Sequence, residues 1–298
     1  MKTLIVIVGP TGVGKTALCL NLAQRLDTVI INADSRQIYK EIPIGTAAPT
    51  EYEQEKVKHF FVGNLHIGDY YNAAMFEYDV LTLLDKLFID RNVVVMSGGS
   101  MMYIDAVCKG IDDIPNVNDN VRRQVKDDYD KYGLAAMCRL LERLDPEYYA
   151  IVDKNNPKRV IHAVEICIST GKTYTSFRTS TKKKRPFNIV KIGIIRERDE
   201  LYRRIDMRVD DMINAGLVDE ARRMYPYKEL NALNTVGYKE LFSHFEGKCS
   251  LSEAIFRIKC DTHKYCRKQL TWFKRDKEIK WFSPDNVEEI INYATTFR

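Results

Sequence analysis

A run of residues near the N-terminus has the types and spacing that bind phosphate groups. It reads Gly9-Pro10-Thr11-Gly12-Val13-Gly14-Lys15-Thr16 and matches the pattern G-x-x-x-x-G-K-[ST]. Glycines let backbone N–H groups turn toward phosphate oxygens, Lys15 would add a positive charge at the terminal phosphate, and the Thr16 hydroxyl would be a ligand for Mg²⁺. The sequence therefore predicts a polyphosphate site. A chance glycine turn is the alternative, and the identity of the polyphosphate is open at this point.

The residues on either side of this loop predict the elements that would hold it. An apolar run from Leu4 to Val8 precedes the loop, and the residues from Ala17 to Leu22 continue from it with a helical pattern. This order predicts a buried strand, a glycine-rich loop and a helix whose positive end faces the phosphates.

A second group of polar residues follows the next predicted strand. Thr28 to Ile31 is a short β-branched run, and it leads into Asn32-Ala33-Asp34-Ser35-Arg36-Gln37. Ligands of α/β sheets bind beyond the carboxyl ends of the strands, so we expect Asp34 and the residues after it to face the phosphate-binding loop. The alternative is that Asp34 only caps a helix.

The third predicted strand ends without an acidic residue. Val93-Val94-Val95-Met96 is followed by Ser97-Gly98-Gly99-Ser100. In an ATPase the corresponding strand usually ends in an Asp that holds Mg²⁺. Here a second glycine turn takes that place, and the carboxylate follows the earlier strand instead.

From about Asp112 to Lys184 the pattern changes to helices without a clear strand. Apolar residues recur at three- and four-residue spacing in 118–132, 134–144 and 158–169. The segment ends with Thr179-Ser180-Thr181 and Lys182-Lys183-Lys184-Arg185-Pro186, which we interpret as a flexible basic connector. Residues 189–195 then have the pattern of a strand. An all-helical block between two strands predicts an inserted subdomain.

The predicted fold class is α/β, with a P-loop NTPase-like parallel sheet core, an inserted all-helical subdomain and a helical C-terminal region. The predicted domains are the first part of the core (1–111), the insertion (112–186), and the return to the core with basic C-terminal helices (187–298). In the last part we predict helices over 199–214, over 234–245 with an interruption near Gly237, and from Ser250 to about Lys277, then a strand over 280–282 and a final helix from Pro284. Arg204 and Arg208 would share one helix face.

The charge of the chain is distributed unevenly. The net charge is +5, but residues 1–110 carry ten basic and twelve acidic residues, and the remainder carries 36 and 29. A basic C-terminal part predicts a polyanionic partner larger than a nucleotide, and a solvated lysine-rich surface is an equal alternative. No apolar run approaches the ~20 residues of a membrane span, and no signal-peptide pattern precedes the first strand. We therefore expect a cytoplasmic protein without membrane contact.

The seven cysteines are scattered without a C-x-x-C pair, which argues against a disulfide framework. Cys260, His263 and Cys266 recur at every third residue, a spacing that could bring zinc ligands to one helix face. Because no fourth ligand is nearby and the surrounding run is basic, we interpret these residues as helix-packing residues.

Several stretches together resemble the tRNA dimethylallyltransferase family, also called tRNA isopentenyltransferases. Besides the loop of residues 9–16, they are Asp34-Ser35-Arg36-Gln37-Ile38-Tyr39, Gly45-Thr46-Ala47-Ala48-Pro49, Gly98-Gly99-Ser100, Asn156-Pro157-Lys158-Arg159, Asn234-Thr235-Val236-Gly237-Tyr238-Lys239-Glu240 and Arg267-Lys268-Gln269-Leu270-Thr271-Trp272-Phe273. The resemblance runs in order through almost the whole chain. The phosphate-binding loop alone is unspecific, whereas the run from Asp34 to Tyr39 is very specific.

This resemblance implies a prenyl transfer. The family moves a dimethylallyl group from dimethylallyl diphosphate to the exocyclic amine of the adenosine 3′-adjacent to the anticodon in tRNA, and it releases diphosphate. The loop of residues 9–16 would bind the diphosphate, and Asp34 would accept the amine proton. The groups implied to stabilise the departing diphosphate are Lys15, Thr16 with Mg²⁺, and Arg208.

The resemblance also implies where tRNA binds. A base inside a folded anticodon loop must leave its stack to reach the diphosphate. The residues implied in tRNA contact are Asp34, Ser35, Arg36, Gln37, Ser100, Arg122, Lys158, Arg159, Val160, Ile161, His162, Gly237, Tyr238, Lys239, Arg267, Lys268 and Gln269. The helical insertion would clamp the anticodon stem-loop from the side opposite the basic C-terminal helix, and we expect the protein to act as a monomer.

This sequence departs from the family pattern at two of these positions. Ser100 stands where the family commonly has Thr, which keeps the hydroxyl, and we expect little change. His162 stands where an Arg is usual, which removes a permanent cation from the RNA contact.

Three other functions stay open at this stage of the argument. Transfer to free AMP or ADP, as in adenylate isopentenyltransferases, would need neither the helical insertion nor the basic C-terminal helix. A small-molecule or nucleotide kinase would bind ATP and transfer its phosphoryl group. A non-catalytic RNA-binding protein would keep its RNA affinity when Asp34 and Lys15 are replaced.

Overall fold

The computed structural model describes residues 2–179 and 181–296, so Ser180 of the predicted connector lies outside the described residues. The chain divides into two compact units. We call the first, Met1–Cys108 with Lys184–Arg298, the core unit, and the second, Lys109–Lys183, the insertion. The predicted boundaries, 112 and 186, each lie three residues farther along the chain than these limits.

The core unit is built on a parallel sheet, in which the described residues form six strands. In chain order they are β1 Thr3–Val8, β2 Ile30–Asn32, β3 His59–Phe60, β4 Val93–Ser97, β5 Asn188–Ile194 and β6 Lys280–Phe282. Their spatial order is β3-β2-β4-β1-β5-β6, and each neighbouring pair is parallel. The predicted strands are confirmed to within one or two residues, and the short edge strand β3 has no counterpart in the prediction.

Helices, turns and irregular loops connect these strands. The helices are α1 Lys15–Arg25, α2 Pro43–Thr46, α3 Glu51–Lys56, α4 Ala73–Asp90, α5 Met101–Lys109, α6 Asp119–Leu144, α7 Pro146–Ile151, α8 Pro157–Thr170, α9 Arg198–Asn214, α10 Leu217–Met224, α11 Tyr238–Phe245, α12 Leu251–Phe273 and α13 Val287–Thr295. Short 3₁₀ turns lie at Thr175–Phe177, Tyr225–Tyr227 and Asn231–Leu233. Within residues 2–179 and 181–296, none of the helices combines the length and the apolar character that a membrane crossing requires.

Strand β1 is buried on both faces, which explains its continuous apolar sequence. Ile5 and Ile7 pack on the side of α1, α9 and α13, whereas Leu4, Val6 and Val8 pack on the side of α4 and α5. The strand is therefore fixed in the middle of the sheet, and the phosphate-binding loop begins at its rigidly held carboxyl end.

Two helices in the C-terminal part begin later than predicted. The predicted interruption near Gly237 is confirmed, because Gly237 has φ 101°, which a helix cannot continue through, and α11 begins only at Tyr238; the prediction of helix for 234–236 is wrong. The last helix begins at Val287 rather than at Pro284.

The end of the predicted connector is a buried part of the core unit. The Arg185 side chain is 7% exposed and contacts the Glu77 carboxylate at 2.7 Å. Its guanidinium also donates to the carbonyl oxygens of Ala106 at 2.7 Å and Val107 at 2.8 Å. The prediction of a flexible connector is therefore wrong for Arg185, since a buried guanidinium with three partners is held in place.

The insertion has a hydrophobic core of its own, to which α6, α7 and α8 contribute. Helix α6 is interrupted at Gly133, with φ 74° and ψ 177°, at the point where the prediction separates two helices. Asp145 is 1% exposed and accepts the N–H groups of Tyr148 and Thr175 at 3.0 and 2.7 Å. This carboxylate caps α7 and connects it to the segment after α8.

Candidate active site

The phosphate-binding loop lies between β1 and α1. Gly12 and Gly14 have φ of 79° and 106°, in the left-handed region that glycine adopts without strain. A Cβ on Gly12 would stand 2.8 Å from Cγ1 of Ile205, so this position also lacks room for a side chain. Because α1 begins at Lys15, the N–H groups of its first turn lie next to the loop, where an anion is favoured.

Lys15 and Thr16 line a cavity of about 510 Å³. The Lys15 Nζ donates to the carbonyl oxygens of Gly9 at 2.8 Å and Pro10 at 2.9 Å. Burial and the neighbouring Arg208 guanidinium lower the pKa of Lys15 to about 8, against a weaker opposing effect of nearby acidic groups. An anion in this cavity would favour the protonated form of the lysine.

Asp34 follows β2 and lines the same cavity as Lys15. Its Oδ1 accepts the N–H groups of Arg36 at 2.9 Å and Gln37 at 3.4 Å. Its Oδ2 lies 3.5 Å from the position that a Cβ on Gly99 would take. Asp34 therefore stabilises a turn after β2 and caps no helix, because the next helix begins only at Pro43, and Asp34 also lines the cavity.

Two arginines of α9 reach the phosphate-binding loop. The Arg208 Nη1 donates to the Thr11 hydroxyl at 3.2 Å, and the Arg204 Nε donates to the Gly12 carbonyl at 2.9 Å. Burial lowers the pKa of Arg208, and the charge of Asp34 opposes this shift. Both arginines line the 510 Å³ cavity, so this cavity contains cationic side chains from two different elements.

A second cavity of about 350 Å³ adjoins the first. Thr11, Asp34, Thr46, Arg208 and Tyr265 line both of them. The second cavity is also lined by the predicted RNA-contacting residues Ser35, Arg36, Gly237 and Lys239, and by Asn234, Thr235 and Val236. Asp34 and Arg208 therefore lie where two spaces meet, one at the phosphate-binding loop and one at the loop before α11.

A buried carboxylate without a sequence motif supports the wall of the second cavity. Glu220 is 1% exposed and accepts the N–H groups of Ile44 at 2.9 Å and Gly45 at 2.8 Å, and the Tyr238 hydroxyl at 2.6 Å. Gly45 and Thr46 belong to the one-turn helix α2. Glu220 stabilises that turn because a carboxylate is favoured at the N–H groups of its start.

The IPP transferase family model matches residues 37–276 of this chain. The tRNA dimethylallyltransferase 1 of Bacteroides fragilis is 57% identical over 292 residues, which cover 98% of this chain and 97% of that protein. This chain belongs to the IPP transferase family. The tRNA dimethylallyltransferase 1 of Bacteroides thetaiotaomicron is 56% identical over 293 residues, which cover 98% of this chain and 95% of that protein.

Solved structures of similar proteins have the same fold as this IPP transferase. The tRNA isopentenylpyrophosphate transferase of Bacillus halodurans is 32% identical with a TM-score of 0.73, and the match covers 100% of this chain and 97% of that one. A eukaryotic dimethylallyltransferase acting on tRNA has a TM-score of 0.81 at 24% identity, over 100% of this chain and 79% of that one, which shows likeness of fold alone.

The predicted tRNA-contacting residues of the insertion fall into two groups. Lys158, Arg159 and His162 lie exposed on α8, and Arg122 is half-buried on α6. The His162 ring contacts Tyr174 edge-on at 5.7 Å, and its Nδ1 lies 3.7 Å from the Glu165 carboxylate. In contrast, Val160 is fully buried in the insertion core, where half-buried Ile161 also packs. The prediction of RNA contact is wrong for the Val160 side chain, because it has no exposed surface.

The predicted tRNA-contacting residues of the core unit divide in the same way. Lys239, Arg267 and Lys268 are exposed. Tyr238 is 0% and Gln269 is 1% exposed, so neither side chain offers an outer surface to RNA, and contact through the backbone at these two positions stays a prediction. Both residues instead hold other parts of the site in place.

Ser100, predicted to contact tRNA, acts on its neighbour Ser35 in this IPP transferase. Its Oγ accepts the Ser35 N–H at 2.8 Å and donates to the Ser35 Oγ at 2.9 Å. The hydroxyl, which Thr would also supply, is therefore the group that makes both hydrogen bonds to Ser35. Gln37 is held in a similar way, because its Nε2 donates to the carbonyl oxygens of Thr46 and Ala47 at 3.0 Å each.

The suspected zinc ligands on α12 have packing partners. The His263 ring stacks on Tyr202 at 4.1 Å, and its Nε2 lies 2.9 Å from the Asp206 carboxylate. Cys266 is fully buried, and burial raises the pKa of its thiol to about 11. These contacts join α12 to α9 and agree with the interpretation as helix-packing residues.

Three supporting residues of the site were missing from the sequence prediction. Arg204 could have been assigned with Arg208, since the i, i+4 spacing already placed both on one face of a helix. Tyr265 lines both cavities and stands one turn before Gln269. Its position could therefore also have been predicted from helical spacing. Glu220 had no such signal, because its partners come from α2 and α11.

Proposed function

We propose that this chain transfers the dimethylallyl group of dimethylallyl diphosphate to the exocyclic amine of the adenosine that follows the anticodon in tRNA, and releases diphosphate. Its family and the names of its relatives support this reaction. The observation that carries the proposal is that the carboxylate of Asp34 and the cations of Lys15 and Arg208 line one cavity beside a phosphate-binding loop.

Asp34 serves as the proton acceptor. An adenine amine is a poor nucleophile because its lone pair is delocalised into the ring. As the C–N bond forms, the C–O bond to diphosphate breaks, its electron pair leaves with the diphosphate, and the amine proton passes to the Asp34 carboxylate. A positioned base of this kind accelerates such a step by ~10²–10⁴-fold.

The phosphate-binding loop stabilises the leaving group. Negative charge grows on the bridging oxygen as the C–O bond breaks, and Lys15, Arg208 and the N–H groups at the start of α1 are the donors in reach of the cavity. Lys15 is held by loop carbonyls at 2.8 and 2.9 Å, so its ammonium is already beside the loop before substrate binds.

Mg²⁺ is part of this proposal. The ion commonly combines one or two protein oxygens with substrate phosphates and waters. The Thr16 hydroxyl and the Asp34 carboxylate line the cavity, so the donor set fits, and Thr16 would hold the ion. When bound, Mg²⁺ would neutralise charge on the diphosphate.

The acceptor is an adenosine extruded from the anticodon loop. The second cavity gives the flipped base a space next to Asp34, between Arg36 and the loop before α11. The exposed cations Arg267 and Lys268 on α12 would bind the RNA backbone, and the insertion would hold the stem-loop through Lys158 and its neighbours. The catalytic groups come from one chain, so a monomer suffices, and a tRNA substrate favours a cytoplasmic location.

The proposal is tested with purified protein, dimethylallyl diphosphate, Mg²⁺ and an anticodon stem-loop that carries adenosine after the anticodon. Mass spectrometry of the digested RNA should detect prenylated adenosine, and a matched stem-loop with guanosine at that position should give none. AMP in excess should not compete if RNA is the acceptor; efficient prenylation of AMP would favour the adenylate alternative. Absence of product with every adenosine-containing stem-loop would refute the proposal.

A further inference from the structure

Gln269 bridges the two glycine turns of the site. It lies on α12 and is 1% exposed. Its Oε1 accepts the N–H of Thr11 in the phosphate-binding loop at 2.9 Å, and its Nε2 donates to the Gly99 carbonyl after β4, also at 2.9 Å. Since one partner can only donate and the other can only accept, the orientation of the amide is fixed.

Both turns are shaped around this side chain. A Cβ on Gly99 would stand 2.6 Å from the Gln269 Nε2, so only glycine leaves room for the amide. The Thr11 N–H and the Gly99 carbonyl both lie in loops, outside the hydrogen bonds of the sheet. The Gly99 carbonyl also accepts the Tyr265 hydroxyl at 3.3 Å, from the same helix as Gln269. Buried backbone groups without a partner are strongly disfavoured, so α12 supplies hydrogen-bond partners to both loops, and Gln269 is the residue that bonds to the two at once.

Thr11 is held from two helices at once. Gln269 of α12 binds its N–H, and Arg208 of α9 donates to its hydroxyl at 3.2 Å. The two helices are themselves joined by Lys259 and Asp210, whose side chains form an ion pair at 2.7 Å. The start of the phosphate-binding loop is therefore fixed by a packed pair of helices and not only by β1 and α1.

We propose that Gln269 is a positioning residue, which holds the phosphate-binding loop in the conformation that accepts a diphosphate and ties that loop to the RNA-facing helix α12. Its side chain lines the 510 Å³ cavity, and the oxygen and nitrogen of its amide are both bonded to backbone groups of the two turns. The neighbouring Arg267 and Lys268 are exposed, so one turn of α12 carries both the buried amide and the two cations proposed to bind RNA. This inference rests on the proposed function for the identity of the ligands.

The test compares Gln269→Met, which keeps the length of the side chain and removes both hydrogen bonds, with Lys268→Ala on the exposed face. Calorimetric titration with inorganic diphosphate and Mg²⁺ should show affinity lowered about tenfold in Gln269→Met, the scale of a lost hydrogen bond to a buried group. Its affinity for the anticodon stem-loop should stay within about twofold. Lys268→Ala should show the reverse pattern.

Steady-state kinetics and hydrogen exchange separate positioning from a general loss of structure. In Gln269→Met the KM for dimethylallyl diphosphate should rise about tenfold while kcat at saturation changes much less. Exchange should accelerate in the peptide that covers residues 9–16 and stay unchanged in peptides from α4. If Gln269→Met fails to fold, the same measurements are made on Gln269→Asn, which keeps the amide and shortens the side chain by one methylene.

Two results would overturn the inference. One is unchanged diphosphate affinity in a folded Gln269 variant, and the other is a loss of stem-loop affinity without a loss of diphosphate affinity, which would make Gln269 an RNA contact after all. Diphosphate binding is measured without any prenyl transfer. A wild-type protein that binds diphosphate and modifies no RNA would therefore refute the proposed function and leave the assignment of Gln269 standing.

Discussion

Replacing Asp34 by Asn separates its structural role from its proposed role as a base. The Oδ1 atom accepts the N–H groups of Arg36 and Gln37 at 2.9 and 3.4 Å, and an Asn side chain offers an acceptor oxygen at the same place. Asp34→Asn therefore keeps the turn after β2 and removes only the basic carboxylate. Asp34→Ala removes both.

The expected magnitudes follow from these two roles. Loss of a general base should lower kcat by ~10²–10⁴-fold in both variants. Two backbone hydrogen bonds are worth about 0.5–1.5 kcal/mol each, so Asp34→Ala should lower the free energy of unfolding by about 1–3 kcal/mol, and Asp34→Asn by less than about 0.5 kcal/mol.

The assay must exclude an indirect effect through Lys15. The charge of Asp34 raises the pKa of Lys15, which stands at about 8, so either variant moves this pKa lower and weakens diphosphate binding. Rates should therefore be measured by single-turnover quench at saturating dimethylallyl diphosphate and near pH 7, together with stem-loop affinity. Asp69→Asn is the matched control, because Asp69 accepts the His66 N–H at 2.8 Å and lines neither cavity. A wild-type rate in Asp34→Asn would refute the assignment of the base.

Three further predictions concern other buried charges. The pKa of Lys15 is about 8, and a bound diphosphate favours its protonated form. Affinity for dimethylallyl diphosphate, measured by calorimetry without tRNA, should therefore fall up to about tenfold per pH unit above pH 8. In Lys15→Met the plot of affinity against pH should be flatter. Tyr238→Phe removes one of the partners of buried Glu220 and should lower the free energy of unfolding by about 1.5–3 kcal/mol in urea titrations; no change would mean that the carboxylate does not need this hydroxyl. Glu77→Gln leaves the buried Arg185 guanidinium without a counter-charge and should destabilise by about 3–5 kcal/mol, whereas a flexible connector would tolerate the change.

The sheet could be predicted from the sequence because its inner strands are buried on both faces. The run at β1 is apolar at every inner position, β4 shows the same pattern, and β5 keeps it except at Gly193 and at buried Lys191, whose ammonium pairs with Asp276 and Glu278. Strand β3 has only His59 and Phe60, both half-buried at the edge, so it carries no periodic signal. The interruption at Gly237 could be predicted from the glycine itself, whereas the residues before it were predicted as helix because apolar spacing continues through the loop.

The site could be predicted where its residues are consecutive in the sequence. The prediction failed where a side chain contacts residues that are far away in the sequence. Asp34 and Lys15 follow strands of one parallel sheet, whose carboxyl ends meet. The partners of Gln269 stand 258 and 170 positions away, and no local pattern reveals them. Helical spacing did hold a partial signal, since Gln269 lies between buried Cys266 and Phe273 on one face of α12.

The second glycine turn explains why the carboxylate of this site follows β2 and not β4. A Cβ on Gly98 would stand 2.1 Å from the Ala33 carbonyl oxygen, so this position cannot carry an acidic side chain, and one on Gly99 would displace the Gln269 amide. The Ala33 carbonyl also accepts the Ser100 N–H at 3.1 Å, which draws the two chain segments together. Asp34 is the next residue, one strand farther from β1 than β4 is. A carboxylate there lies beside the space for an acceptor base as well as beside the phosphates, which suits proton removal from the acceptor better than the metal-binding role that an Asp after β4 performs in ATPases.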